Sequence, residues 1–125
     1  PPGFELHPAV VSEAREFARA SGGEATFTSD QDEALEGSRV VYAKAWGPAA
    51  PGPLGPEAVR AFPSWRIEAR QLARAASDAI FLHCLPVRRN VEVGDAVLDS
   101  PASRVIDEAE NRFHVQRMLL DWLAR

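Results

Sequence analysis

Hydrophobic positions along the chain change period several times, and each change marks an element. Over residues 8–20, Val10, Ala14, Phe17 and Ala18 fall on one helical face, with Pro8 in the first turn and Gly22-Gly23 as the stop. Residues 24–28 are short and β-prone. Ser29 and Asp30 are caps for a brief helix through Leu35, and Gly37 ends it before 39–43 runs as a buried strand. Residues 65–76 return to helical spacing through Ile67, Leu72 and Ala76; after Asp78 comes a second apolar strand, 79–83. A polar stretch leads to a short helix near 94–99, then a strand over 104–106, then a long helix over 108–123 that Asp107 and Glu110 open in the manner of a capping box.

Strands that alternate with helices pair in parallel and are covered on both faces, so the predicted fold is α/β with a doubly wound, mostly parallel sheet. Four short strands make a narrow sheet, and the first helix has no strand before it. Residues 47–63 interrupt the pattern. They are rich in proline and glycine, poor in periodic apolar positions and too long for a tight connection, which predicts a mobile loop.

Composition narrows the functional classes. With 125 residues, 46% hydrophobic and 26% charged, the chain has the make-up of one soluble domain. A net charge of -4 argues against a nucleic-acid partner, which would call for a basic stripe. No apolar run reaches the ~20 residues of a membrane span. One cysteine, Cys84, and a start without signal-peptide layout favour the cytoplasm. Thirteen arginines stand against a single lysine, Lys44, which singles that lysine out.

In a doubly wound sheet, ligands bind beyond the carboxyl ends of the strands. After the strand over 39–43 come Lys44-Ala45-Trp46-Gly47; after that over 79–83, His83-Cys84-Leu85-Pro86-Val87-Arg88-Arg89-Asn90; after that over 104–106, Asp107 to Arg112. Polar groups therefore converge on one edge. A Cys84–His83 dyad is excluded, because strand neighbours point to opposite faces. His83 reads better as a hydrogen-bonded orienter than as an acid or base. Arg112, expected in the first turn of its helix, would oppose the macrodipole there, a placement that suggests use. The cluster Met118, Leu119, Trp122, Leu123 reads as core or domain-packing surface.

The string His83-Cys84-Leu85-Pro86 matches a motif of the ornithine carbamoyltransferases, and 107–116, Asp-Glu-Ala-Glu-Asn-Arg-Phe-His-Val-Gln, resembles their C-terminal signature. The resemblance spans residues 1–125. Lys44-Ala45-Trp46-Gly47 replaces the usual Ser-Met-Gly loop, and Val87-Arg88-Arg89-Asn90 replaces a His-Arg-Gly type sequence; both departures are similar to the N-acetylornithine and N-succinylornithine branch.

The resemblance implies transfer of a carbamoyl group from carbamoyl phosphate to the side-chain amine of an acylated ornithine, in arginine biosynthesis, without metal or organic cofactor. It assigns Arg112 to carbamoyl phosphate, Cys84 and the Leu85 carbonyl to the junction of the two substrates, and Lys44 to the acylated amino acid. Trp46, His83, Pro86, Arg88, Arg89 and Glu92 fall at the substrate pocket, with one of the two arginines expected to contact a carboxylate or phosphate and Trp46 equally able to pack beneath the loop. A cis Leu85–Pro86 bond is also implied. Glu92 stands where some acetylornithine-using relatives carry lysine; a carboxylate there disfavours a succinyl group and leans the choice to acetyl. The family's Ser-Thr-Arg-Thr and His-Pro-x-Gln elements do not occur here. Residues 1–125 are thus expected to be a C-terminal, acylornithine-binding domain cut inside its own boundary, without its first strands and the N-terminal carbamoyl-phosphate domain, inactive alone and homotrimeric at full length. Competing expectations are transfer to free ornithine and a stand-alone binding module of the same fold.

Overall fold

The computed structural model describes residues 4–44 and 62–125. Its centre is a parallel pair of strands, β1 (Val40–Ala43) and β2 (Ile80–His83), in register Val41↔Phe81 and Ala43↔His83. Phe81 is completely buried. Its N–H donates to the Ala102 carbonyl at 2.8 Å and its carbonyl accepts from Arg104 N–H at 2.9 Å, so residues 102–104 flank β2 on the side away from β1. Leu35, Val41, Ile67, Val93, Val97 and Val105 close around Phe81 as the core.

Among the described residues five helices accompany this pair. α1 (Pro8–Ser21) has Pro8 in its first turn and ends at Gly22, whose φ of 76° is a left-handed cap that a side chain would strain. None of its residues is buried. Val11, Ala14 and Ala18 form its half-buried side, while Val10 and Phe17, expected inside, are exposed. α2 (Gln31–Leu35) begins where the Asp30 carboxylate accepts from the N–H groups of Asp32 and Glu33, as its sequence predicts. A single 3₁₀ turn (Pro63–Trp65) precedes α3 (Ala69–Leu72); α4 (Asp95–Leu98) and α5 (Val105–Leu123) follow β2. Among the described residues no helix is long and apolar enough to cross a membrane.

Several expected elements are corrected. Residues 24–28 are not a strand, since no described segment pairs with them and only Ala25 is even half-buried. The helix predicted over 65–76 shrinks to four residues, because Ile67 is held extended: its N–H donates to the Glu92 carbonyl and its carbonyl accepts from Gly94 N–H, both at 2.9 Å. The strand predicted over 104–106 is one ladder step at Ser103; Val105 already starts α5 and turns into the core, 4% exposed. Two named strands therefore replace the expected four among the described residues. The Asp107–Glu110 capping box is absent, since Arg104 occupies the cap and offers no side-chain bond. Met118, Leu119, Trp122 and Leu123 are at least half exposed, so they are not core here. The expected mobile loop over 47–63 lies outside the described residues except for Phe62 and Pro63.

Candidate functional site

Both strands run the same way, and the ends of β1 and β2 lie side by side because Ala43 pairs with His83. Lys44, exposed, leaves β1 at the edge where Cys84 leaves β2. Into this edge comes the first part of α5. His83, Cys84, Leu85, Glu108, Ala109 and Arg112 line one crevice, so the two sequence motifs meet in space. Arg112 is exposed and stands two turns inside α5 rather than in its first turn, so the macrodipole argument for it lapses. Its place in the crevice supplies a geometric reason instead.

The turn after β2 is held by its own side chains. Leu85 has φ 52°, a left-handed conformation that costs a branched residue about 1–3 kcal/mol. Its N–H donates to His83 Nδ1 at 3.0 Å, which offsets part of that strain and orients the Leu85 peptide. Leu85–Pro86 is cis. Because Nδ1 accepts, a neutral His83 carries its proton on Nε2. That nitrogen is buried and has no partner among the described residues. His83 is 1% exposed, and its ring fixes the turn through the bond from Leu85 N–H. Cys84, the residue after β2, is a free, half-buried thiol.

Glu108 reaches back across the strand ends. One carboxylate oxygen accepts from Tyr42 Oη–H at 2.6 Å, and the other accepts from His83 N–H at 3.1 Å. The hydrogen bond to Glu108 pushes the pKa of the Tyr42 phenol up to about 12, with desolvation and the charge of Glu108 acting the same way. Neither Tyr42 nor Glu108 was singled out by sequence. Glu108 lies within a matched motif, which was the available signal; Tyr42 read only as a strand residue.

The arginine loop is organised differently from expectation. Glu92 is 1% exposed, and its carboxylate accepts from Arg88 N–H at 2.9 Å and Arg88 Nε at 2.6 Å, with a second guanidinium nitrogen also against it. Arg89 donates to Asp95 at 2.7 Å and to both oxygens of Asp99, at 2.9 and 2.7 Å. These bonds to Arg89 hold both carboxyls below the usual range, helped at Asp95 by Asn90, and raise the guanidinium pKa. Both arginines are thus engaged by carboxylates of the chain itself, and neither lines the crevice. Glu92 presents no open charge to a ligand, so the electrostatic lean toward acetyl has no footing in this geometry. Pro86 is exposed beside the crevice, and Trp46 lies outside the described residues.

A parallel sheet with ligand groups gathered at its carboxyl edge defines an α/β small-molecule binding domain. Residues 1–123 match the family model described as aspartate/ornithine carbamoyltransferase, Asp/Orn binding domain, and the chain belongs to that family. It is 39% identical over 125 residues to an ornithine carbamoyltransferase of Wolinella succinogenes, covering 100% of this chain and 41% of that protein. Among solved structures, ornithine carbamoyltransferase from Gloeobacter violaceus superposes with a TM-score of 0.82 at 38% identity, covering 96% of this chain and 39% of that one. An N-acetyl-L-ornithine transcarbamylase superposes with a TM-score of 0.83, also at 38% identity, covering 96% and 37%. The chain therefore spans about two fifths of the length of these relatives.

Proposed function

We propose that the protein carrying this domain transfers a carbamoyl group from carbamoyl phosphate to the side-chain amine of N-acetylornithine, with residues 1–125 as the amino-acid-binding part. The observation that carries the reading is the crevice in which Cys84, Leu85 and Arg112 meet. An amine attacks the carbonyl carbon, a tetrahedral oxyanion forms, and phosphate leaves as the amine loses a proton. Such a reaction is accelerated by fixed donors and by positioning of the reactants rather than by a covalent intermediate. Arg112 serves as the donor to carbamoyl phosphate, and the oriented Leu85 carbonyl and Cys84 line the junction with the amine. Lys44, on the same edge, takes the acylated amino acid, and the sequence resemblance assigns Trp46 to the same substrate. His83 holds the turn, and Arg88, Arg89, Glu92 and Pro86 shape the loop that borders the pocket.

A related N-acetyl-L-ornithine transcarbamylase variant has been solved with carbamyl phosphate and N-succinyl-L-norvaline, which supports these partner classes. The acylated acceptor is favoured by the Lys44-to-Gly47 and Val87-to-Asn90 strings, and the choice of acetyl rests on the likeness to N-acetyl-L-ornithine transcarbamylase rather than on Glu92. The remaining carbamoyl-phosphate groups belong, on this reading, to a second domain of a cytoplasmic homotrimer, and no metal or organic cofactor takes part. The test is carbamoyl transfer by the protein carrying this domain to ornithine, N-acetylornithine and N-succinylornithine, offered separately. Turnover with N-acetylornithine alone supports the reading. Turnover with N-succinylornithine alone transfers the acyl assignment, turnover with free ornithine alone removes it, and no turnover leaves a binding module.

A further inference from the structure

We propose that Glu108 is a positioning residue of this site, its carboxylate setting the start of α5 against both strand ends so that Arg112 meets the Cys84–Leu85 turn. The role rests on the carbamoyl-transfer reading above and names a residue which that reading leaves without a task.

The need for such a group follows from the sheet. Alternate N–H groups of a strand point the same way, so Phe81 and His83 both donate away from β1. Phe81 N–H is satisfied by the Ala102 carbonyl. Two residues on, the flanking segment has already turned into α5 at Val105, and among the described residues no neighbouring strand remains to receive His83 N–H. Glu108 receives it at 3.1 Å, and its second oxygen takes Tyr42 Oη–H from β1 at 2.6 Å. One carboxylate thereby ties three elements together. Arg112 lies four residues further along the same helical face, so its distance from the turn follows from where Glu108 is held.

The experiment uses the protein carrying this domain with Glu108→Ala, Glu108→Gln, Tyr42→Phe and the double variant Glu108→Ala/Tyr42→Phe. Steady-state kinetics on carbamoyl phosphate and the amine are measured beside hydrogen exchange of the peptide containing His83. Glu108→Ala is expected to lower kcat roughly 10- to 100-fold, as loss of alignment does, with the amine KM changed less than about threefold. Glu108→Gln keeps an oxygen for His83 N–H and recovers most of the rate. Tyr42→Phe removes one of the two anchors and lowers kcat roughly threefold, and the double variant is no worse than Glu108→Ala alone. Exchange at the His83 amide rises about tenfold in Glu108→Ala and stays near the parent value in Glu108→Gln. Turnover of Glu108→Ala within twofold of the parent overturns the role, as does a loss explained entirely by a smaller folded fraction and shared equally by Glu108→Gln. Absence of turnover in the unsubstituted protein overturns the functional reading itself, and this role with it.

Discussion

Arg88→Ala tests whether the loop arginine serves the fold or a ligand. Glu92 has no exposed side-chain surface, whereas 48% of the Arg88 side chain is exposed. Alanine removes the guanidinium and its bonds to one carboxylate oxygen but leaves the backbone N–H of residue 88 bonded to the other, at 2.9 Å in the parent. Breaking a fully buried pair costs about 3–5 kcal/mol; with the arginine half in water, about 2 kcal/mol is expected here. Glu92→Gln keeps one neutral bond to an arginine that water can still solvate, and costs about 1 kcal/mol. The double variant buries no charge, so it should also cost about 1 kcal/mol, giving a coupling of about 2 kcal/mol.

Urea denaturation followed by tryptophan fluorescence measures all three. A loss of about 2 kcal/mol lowers the midpoint by roughly 1 M at the slopes typical of small domains. The Arg88→Ala midpoint should rise when Glu92→Gln is added, an improvement in stability from a second substitution. If the two losses simply add, the pair is not the reason Arg88 is where it is. An unchanged midpoint with a raised KM for the amine would return Arg88 to the substrate-binding role that its place in the sequence suggested.

Three further outcomes follow from local geometry. A Cβ on Gly94 would meet the Glu68 carboxyl carbon at 2.8 Å, and Glu68 is held by Arg66 at the head of α3, so Gly94→Ala should cost about 1–2 kcal/mol in thermal denaturation; no loss would mean that Glu68 is free to move. The bonds to Arg89 depress the folded pKa values of Asp95 and Asp99, so their stabilisation is present above the ordinary carboxylate pKa of about 3.9 and is lost as pH falls through the lower folded values. The melting-temperature gap between parent and Asp99→Asn should therefore close in acid, and a gap that persists below that range would contradict the pairing. Tyr42 runs in the opposite direction: its folded pKa is raised from 10.0 to about 12, so its contribution is complete below pH 10 and is lost as pH rises toward 12. Phenolate absorbance of this chain's one tyrosine should titrate near the raised value and return toward 10.0 in Glu108→Ala.

The sheet strands were legible because both are short apolar runs bounded by glycine, aspartate or polar residues, and β1 and β2 fall within one residue of their predicted bounds. α1 and α2 were legible from Pro8, Gly22 and Asp30, whose backbone roles are local. What failed was decided at a distance. Ile67 has helical spacing with Leu72, yet its two backbone bonds go to the segment carrying Glu92 and Gly94, and no local pattern announces that partner. The same holds for 104–106, where one bridge to Phe81 replaces a strand and the helix begins early. At the site, Cys84, Leu85, His83 and Arg112 were found through motifs, and the crevice joins them. Arg88, Arg89 and Glu92 were placed where the sequence departs from the usual family pattern, but their pairing with one another and with Asp95 and Asp99 depends on loop geometry that spacing does not reveal.

The site's mechanical weak point is therefore the seam between α5 and the strand ends rather than the strands themselves. β1 and β2 share a register of four paired residues, but α5 meets the rest of the fold through Val105, Glu108 and Ala109, and every residue from 110 to 125 is exposed. Arg112 is three residues past Ala109, about 4.5 Å further along the axis at helical rise. A pivot at the seam moves the Arg112 guanidinium by more than it moves the Cys84–Leu85 turn, which His83 holds internally. The turn is thus preorganised by its own strand, whereas the arginine is preorganised only as well as Glu108 is anchored. Substitutions at the seam should separate the two halves of the site, leaving the turn's geometry intact while alignment with the arginine is lost.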